Sequence, residues 1–195
     1  MLSDRKKEER QLRKIRIVEG ALKVFNDVGI EKTTMDEIAI ESGFGKATLY
    51  YYFTSKDEVF VEIMEKGWRK LWEGIESRIV EEVGPKEKFM SIVKKMGQIV
   101  TSDKVLYGFL FTAPNFIQET QKQTWKTYQE RLYSILQSII EDGIKKKEFV
   151  NLNSGLLMKA IGGLFHQLLI SNNEELKEDD FEIMLKNFLK PNNVS

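Results

Sequence analysis

Residues 34–53 read TMDEIAIESGFGKATLYYYF, and the side chains there that could meet a polar, anionic partner are hydrogen-bonding groups and one cation, beside the carboxylates of Asp36, Glu37 and Glu41. They are Thr34, Lys46, Thr48, Tyr50, Tyr51 and Tyr52, with Lys56 just beyond. That set suits non-covalent contact with a polar, anionic partner rather than the making of bonds. The rest of the chain offers little else for catalysis. Cysteine is absent and His166 is the single histidine. Disulfides, thiol catalysis, Cys-based zinc sites and multi-histidine metal sites are therefore excluded, and neither enzymatic turnover nor a cofactor is expected. Gly43, Gly45, Lys46 and Thr48 carry the residue types of a phosphate-binding loop at the wrong spacing, and no strand pattern precedes them.

The elements needed to hold these side chains are legible around them. Thr34 with Glu37 forms a capping box, so a short helix should start there and run to Ser42 with Met35, Ile38 and Ala39 facing inward. Gly43 can take the left-handed conformation of a tight turn. A second short helix should run from about Lys46 to Tyr52. Ile38, Phe44, Leu49 and Phe53 can close a small core beneath the pair, and Ala39 is small where the helices must approach. This is a helix-turn-helix. Its second helix would project Lys46, Ala47, Thr48 and Tyr51 outward. A helix so presented fits the major groove of B-DNA with its N-terminal side chains at the base edges. Before it, Ile15, Val18, Leu22 and Phe25 step by three and four along a first helix that Gly29 can end.

Beyond residue 53 the pattern stays helical, and no strand is expected. Ser55 with Glu58 is a second capping box. Phe60, Ile63, Met64, Trp68, Leu71, Trp72, Ile75 and Ile79 then continue a long helix, expected to stop near Gly84-Pro85. Further helices fit Lys86–Val100, Lys104–Thr112 (closed by Pro114), a long one marked by Trp125 and Ile139 that ends near Gly143, Leu156–Ile170, and Phe181–Leu189. The fold class is all-α with about nine helices. A head over residues 1–55 should precede a larger helical domain over 56–195.

Net charge is formally zero over 195 residues, which by itself argues weakly against a nucleic-acid partner. The charge is uneven, however. Arg5, Lys6, Lys7, Arg10, Arg13, Lys14 and Arg16 crowd the first turns against Asp4, Glu8 and Glu9, while acid gathers later at Glu81-Glu82 and Glu174-Glu175. The basic end fits either a solvated helix face or an arm on DNA. No apolar run approaches a membrane span, and the charged start does not resemble a signal peptide, so a cytoplasmic location is expected.

The stretch over residues 10–65 resembles the TetR family of transcriptional repressors. The likeness rests on Phe25 and Gly29, Thr33-Thr34, Ile38-Ala39, Ser42-Gly43, and above all Thr48-Leu49-Tyr50-Tyr51-Tyr52-Phe53 followed by Ser55-Lys56. It implies that Lys46, Ala47 and Thr48 read bases, and that Tyr50, Tyr51 and Tyr52 touch bases or phosphates, Tyr50 fitting core packing equally well. Lys56 would contact phosphate and Thr34 would cap a helix beside the DNA backbone. Two positions depart from the family's pattern: Gly45, where a side-chain cap is common, and Tyr52, where histidine is frequent. Both bear on which operator is read.

The resemblance also implies a small-molecule pocket between the fifth, seventh and eighth helices and a homodimer through the last two helices. The aromatic content of the second half supports an apolar or aromatic effector. Phe109, Trp125, Tyr128 and Phe165 are its candidate contacts, and His166 fits either a polar ligand group or a buried hydrogen bond. Gly162-Gly163 costs helix stability, which close approach of a partner helix would explain, as would a local kink. The expected partner is operator DNA, released on effector binding. The alternative is a helical interaction protein that has lost specific DNA binding.

Overall fold

The computed structural model describes residues 2–112, 124–170, 183–187 and 189–190; side chains 2–3 and 168–170 and the expectations for Pro114 and for the start of the helix at Phe181 lie outside the described set. Among the described residues all regular structure is helical. Eight helices follow in order: α1 (Leu2–Val28), α2 (Met35–Ser42), α3 (Lys46–Tyr52), α4 (Lys56–Ile79), α5 (Pro85–Ser102), α6 (Lys104–Thr112), α7 (Thr124–Lys145) and α8 (Ser154–Ile170). A further helical stretch, α9, covers 183–187. The chain divides into two compact units inside α4: one built on residues up to Gly67, the other on Trp68–Phe111 and the described residues from Thr124 onward.

In the first unit, α1 buries Ile17, Val18, Ala21, Val24 and Phe25 on one face. Their three-and-four spacing is that of a helix lying on a core. α2 meets that face at Gly20, where an added Cβ would sit 2.9 Å from the backbone nitrogen of Ser42. Close approach is thus made by Gly20 as well as by the buried Ala39. Ile38, Leu49, Phe53, Val59, Phe60, Ile63 and Met64 complete the core. Phe44 is half-buried, with the Arg16 guanidinium 5.1 Å over its ring. Among the described residues of this unit, the two buried hydroxyl side chains are both satisfied: Thr33 Oγ1 donates to the Gly29 carbonyl at 2.8 Å, and Ser42 Oγ to that of Ile38 at 2.6 Å.

In the second unit, α5 turns Phe89, Ile92, Val93, Met96 and Val100 inward and α7 turns Trp125, Leu132, Leu136 and Ile140 inward. α8 contributes Leu157, Ile161 and Phe165, and Leu185 and Leu189 are also buried. Two helix ends differ from the sequence pattern. α4 stops at Ile79, and Pro85 is the first residue of α5 rather than the terminator of α4. Proline suits that position because the N–H it lacks would have no partner inside the helix. The next amide, Lys86 N–H, donates to Glu148 Oε2 at 2.9 Å. Gly143 lies inside α7, which runs on to Lys145. Its role is packing: a Cβ there would fall 2.3 Å from Cδ2 of Phe149, whose ring meets Phe89 edge-on with centroids 5.8 Å apart.

Candidate nucleic-acid interface and effector cavity

The helix-turn-helix is fixed at both ends of α2. Thr34 is extended (φ −110°, ψ 157°) and its Oγ1 accepts from Glu37 N–H at 3.3 Å, while Glu37 Oε2 accepts from Thr34 N–H at 2.7 Å. The bond from Thr34 N–H first, and then one that Thr34 Oγ1–H donates to the same oxygen at 2.9 Å, hold the Glu37 carboxyl below the usual glutamate range. At the other end Gly43 is left-handed (φ 72°), and Phe44 N–H donates to the Ala39 carbonyl at 2.9 Å, closing the turn. Gly45 precedes α3 in extended conformation without a side-chain cap. Leu49, fully buried, seats α3 on the core.

With Leu49 facing inward, α3 turns its other side to solvent. Lys46, Ala47, Tyr50 and Tyr51 are exposed, and Thr48 and Tyr52 are half-buried. Tyr51 is 67% exposed and meets the Tyr52 ring edge-on with centroids 5.2 Å apart. Tyr50 is 51% exposed, so it is not a core residue. Two neighbours that sequence pattern alone does not reveal act on this surface. Asp36, in the first turn of α2, lies 2.5 Å from Lys46 Nζ, and this hydrogen-bonded pair raises the lysine pKa. Arg10 of α1 stands 5.5 Å over the Tyr51 ring, a cation–π contact. The basic start of the chain is thus part of α1 rather than a separate arm. The charge run is visible in the sequence, but its aromatic partner comes from a residue about 40 positions away.

Lys56, for which the family resemblance implies a phosphate contact, is engaged within the chain. Its Nζ donates to three backbone carbonyls: Ile30 at 2.8 Å, Glu31 at 2.7 Å and Thr33 at 3.0 Å. An ammonium has three donors, and this geometry employs all of them on the α1–α2 loop that presents Thr34. The adjacent cap is also displaced by one residue from the sequence pattern. Ser55 Oγ accepts from Glu58 N–H at 3.3 Å, but the Glu58 carboxylate takes the amide of Thr54 at 2.6 Å rather than that of Ser55.

The second unit contains a cavity of about 540 Å³, within the range of small-molecule sites. Its floor is apolar and buried: Phe89, Val93 and Met96 of α5, Leu136 of α7, and Ile161 and Phe165 of α8. Phe111 joins it from α6 and Tyr133 from α7. Of the four rings singled out in the sequence, Phe165 lines the cavity; Phe109, Trp125 and Tyr128 are not among its lining residues. Phe109 and Trp125 are buried, and Tyr128 lies against Trp72 with centroids 6.4 Å apart. His166 is exposed at the cavity's edge rather than buried. Gly162 and Gly163 also line it, and a Cβ on either would meet nothing within 4 Å. Within the chain their bareness opens space.

A capped helix-turn-helix with a polar, exposed second helix defines a DNA-binding regulator. Residues 17–63 match the family model for bacterial regulatory proteins of the tetR family. Over this segment the chain resembles the family's DNA-binding domain, and the matches support a helix-turn-helix transcriptional regulator. It is 29% identical over 178 residues to an uncharacterized HTH-type transcriptional regulator, YfiR, of Bacillus subtilis, covering 80% of this chain and 83% of that one. The fold is shared with a tetR-family regulatory protein from Rhodococcus RHA1 (TM-score 0.78, 14% identity, 91% and 97% of the two chains). It is shared also with AibR, in a crystal structure with isovaleryl coenzyme A and operator DNA (TM-score 0.73, 17% identity, 91% and 97%). No described helix is long and apolar enough to cross a membrane.

Proposed function

We propose that the protein is a cytoplasmic repressor that binds a near-palindromic operator as a homodimer through its last two helices and is released by an apolar effector. The observation that carries the DNA reading is the exposure of Lys46, Ala47 and Tyr51 on a short helix whose partner is capped at both ends. Lys46, Ala47 and Thr48 would meet base edges. Tyr50, Tyr51 and Tyr52 would contact bases or phosphates, with Thr34 beside the backbone. In a dimer the two recognition helices would sit about one DNA turn apart. Such a protein works by binding and not by turnover.

The effector reading rests on the apolar cavity. Phe165 supports it directly; Phe109, Trp125 and Tyr128 enter it as rings of the same unit. AibR, a relative in fold, binds both an acyl thioester and operator DNA. α4 is one continuous helix of 24 residues that belongs to the head at its start and to the effector unit at its end. It is therefore the proposed route between them. The effector can shift operator binding only by its difference in affinity for the two states.

Footprinting on DNA upstream of the protein's own gene, at moderate salt, tests this. The expected result is a protected near-palindrome that Lys46→Ala abolishes. Weak, salt-sensitive binding without a footprint, followed by failure to enrich any sequence from random DNA, would favour a helical interaction protein that no longer reads sequence.

A further inference from the structure

The first turns of α1 carry a charge pattern that the core of the first unit does not explain. The buried side of α1 is set by Ile17, Val18, Ala21, Val24 and Phe25. Counting back from Ile17 by three, four, seven and eleven residues, intervals that keep to one side of a helix, gives Lys14, Arg13, Arg10 and Lys6. Seven back from Lys14 is Lys7. The side that is apolar against the core is therefore basic where the helix continues before it. Asp4 and Glu8 fall away from this side, and Glu9, at its edge, is paired with Arg13. Residues 4–13 are all exposed.

Two cation–π contacts hold this side against the end of α3. The Arg10 guanidinium stands 5.5 Å over the Tyr51 ring, and Lys14 Nζ stands 5.6 Å over that of Phe53. Lys14 is also paired with Glu62 Oε2 at 2.7 Å. Lys6, Lys7 and Arg10 remain, and none of them pairs with a carboxylate among the described residues. Arg10 adjoins the ring that α3 turns outward, and Lys6 follows one turn away, roughly 6 Å along the axis. Three cations within about one turn, continuous with the exposed side of α3, suit a partner of repeating negative charge. Duplex DNA carries one charge for about every 1.7 Å of its axis.

We infer that α1 is a second DNA-contacting helix: Lys6, Lys7 and Arg10 hold phosphates beside the groove that α3 enters, on a rigid helix fixed to α3 through Tyr51. This rests on the reading of α3 as the recognition helix. It adds a contact that positions the protein and carries no sequence information of its own. The contact with Tyr51 does not compete with this role, because a guanidinium over a ring keeps N–H donors for phosphate oxygens.

The test is fluorescence anisotropy of the full chain on two labelled duplexes across a range of salt. One duplex has mixed sequence, and the other is a fragment from upstream of the protein's own gene. Changing Lys6→Gln, Lys7→Gln and Arg10→Gln together should flatten the salt dependence by about two to three per bound protomer, since each neutralised phosphate contributes about 0.9. Binding to both duplexes should weaken about tenfold or more at low salt. Lys46→Ala should instead weaken the upstream fragment preferentially. Gln11→Pro, at an exposed position, keeps every charge. Proline can open a shortened α1 there but ends the helical course of the residues before it. This variant should lose nearly as much DNA affinity as the triple one, with thermal unfolding little altered because the buried residues of α1 begin at Ile17. A triple variant with the wild-type salt slope would overturn the inference. So would a Gln11→Pro protein that binds like wild type, since the cations would then act as a flexible arm and not as a fixed helix. A wild-type chain that prefers neither duplex would count against the operator reading, while the triple variant on the mixed-sequence duplex still decides this one.

Discussion

Nζ of Lys46 lies 2.5 Å from Oδ2 of Asp36, so the first residue of the recognition helix is tied to the first turn of the helix before it. Both side chains are more than half exposed, so the pair itself adds little stability. Its consequence is for binding. A lysine that meets DNA must exchange this carboxylate for a base edge or a phosphate. Asp36→Asn should therefore raise operator affinity by about three- to tenfold at low salt, with the gain fading as ionic strength rises. Lys46→Ala should weaken binding and relax sequence preference near its contact. Anisotropy titrations at several salt concentrations check both. An Asp36→Asn protein with unchanged affinity would show that Lys46 stays on α2 in the complex.

Lys56 provides a separation of roles. With three carbonyls of residues 30–33 on its ammonium, Lys56→Ala should cost about 1–3 kcal/mol of stability, since hydrogen bonds to charged groups are worth more than neutral ones. Urea unfolding measures this. A side chain that served only a DNA phosphate would leave stability unaltered and lower operator affinity alone.

Gly143 should not tolerate a methyl group. A Cβ would lie 2.3 Å from the Phe149 ring, and that ring is also in edge-on contact with Phe89. Although alanine is the better helix former, Gly143→Ala should destabilise the protein by roughly 1–3 kcal/mol through overpacking. Adding Phe149→Leu should recover part of the loss, which a double-mutant cycle by thermal unfolding reads directly.

The α2 cap should be sensitive to acid. The folded-state pKa of Glu37 is lowered by its bonds to Thr34, so the unfolded chain holds more protons at this site in the interval between the two values. Its stabilising contribution is complete above the ordinary glutamate range and is lost as pH falls through the lowered value. Thr34→Ala removes the hydroxyl bond and keeps the backbone one, so it should move the Glu37 titration only part of the way up toward the ordinary value, as followed by NMR. A titration unmoved by that change would assign the shift to the backbone bond alone, which alanine retains.

Local elements were legible because each rests on a few adjacent residues. The Thr34 box, the left-handed turn at Gly43 and the bounds of α3 follow from side chains within four positions of one another. The cavity was less legible. Helical period separates a buried face from an exposed one, yet Phe109, Trp125 and Phe165 are all buried while Phe165 alone of them lines the space. Phe111, two residues from Phe109, lines it too.

By itself, then, the sequence determined the all-helical class, the helix-turn-helix and the outward placement of Lys46, Ala47 and Tyr51 on α3, since capping, turn geometry and the 3.6-residue period act over one or two turns, while the half-burial of Thr48 and the exposure of Tyr50 were decided by packing. Tertiary structure decided what those side chains hold: Asp36 on Lys46, Arg10 over Tyr51, three carbonyls on Lys56. It also decided that Gly143 makes room for a ring and that Gly162 and Gly163 open a cavity. These depend on the distance between helices far apart in sequence, which packing of whole side-chain surfaces fixes and no local pattern encodes.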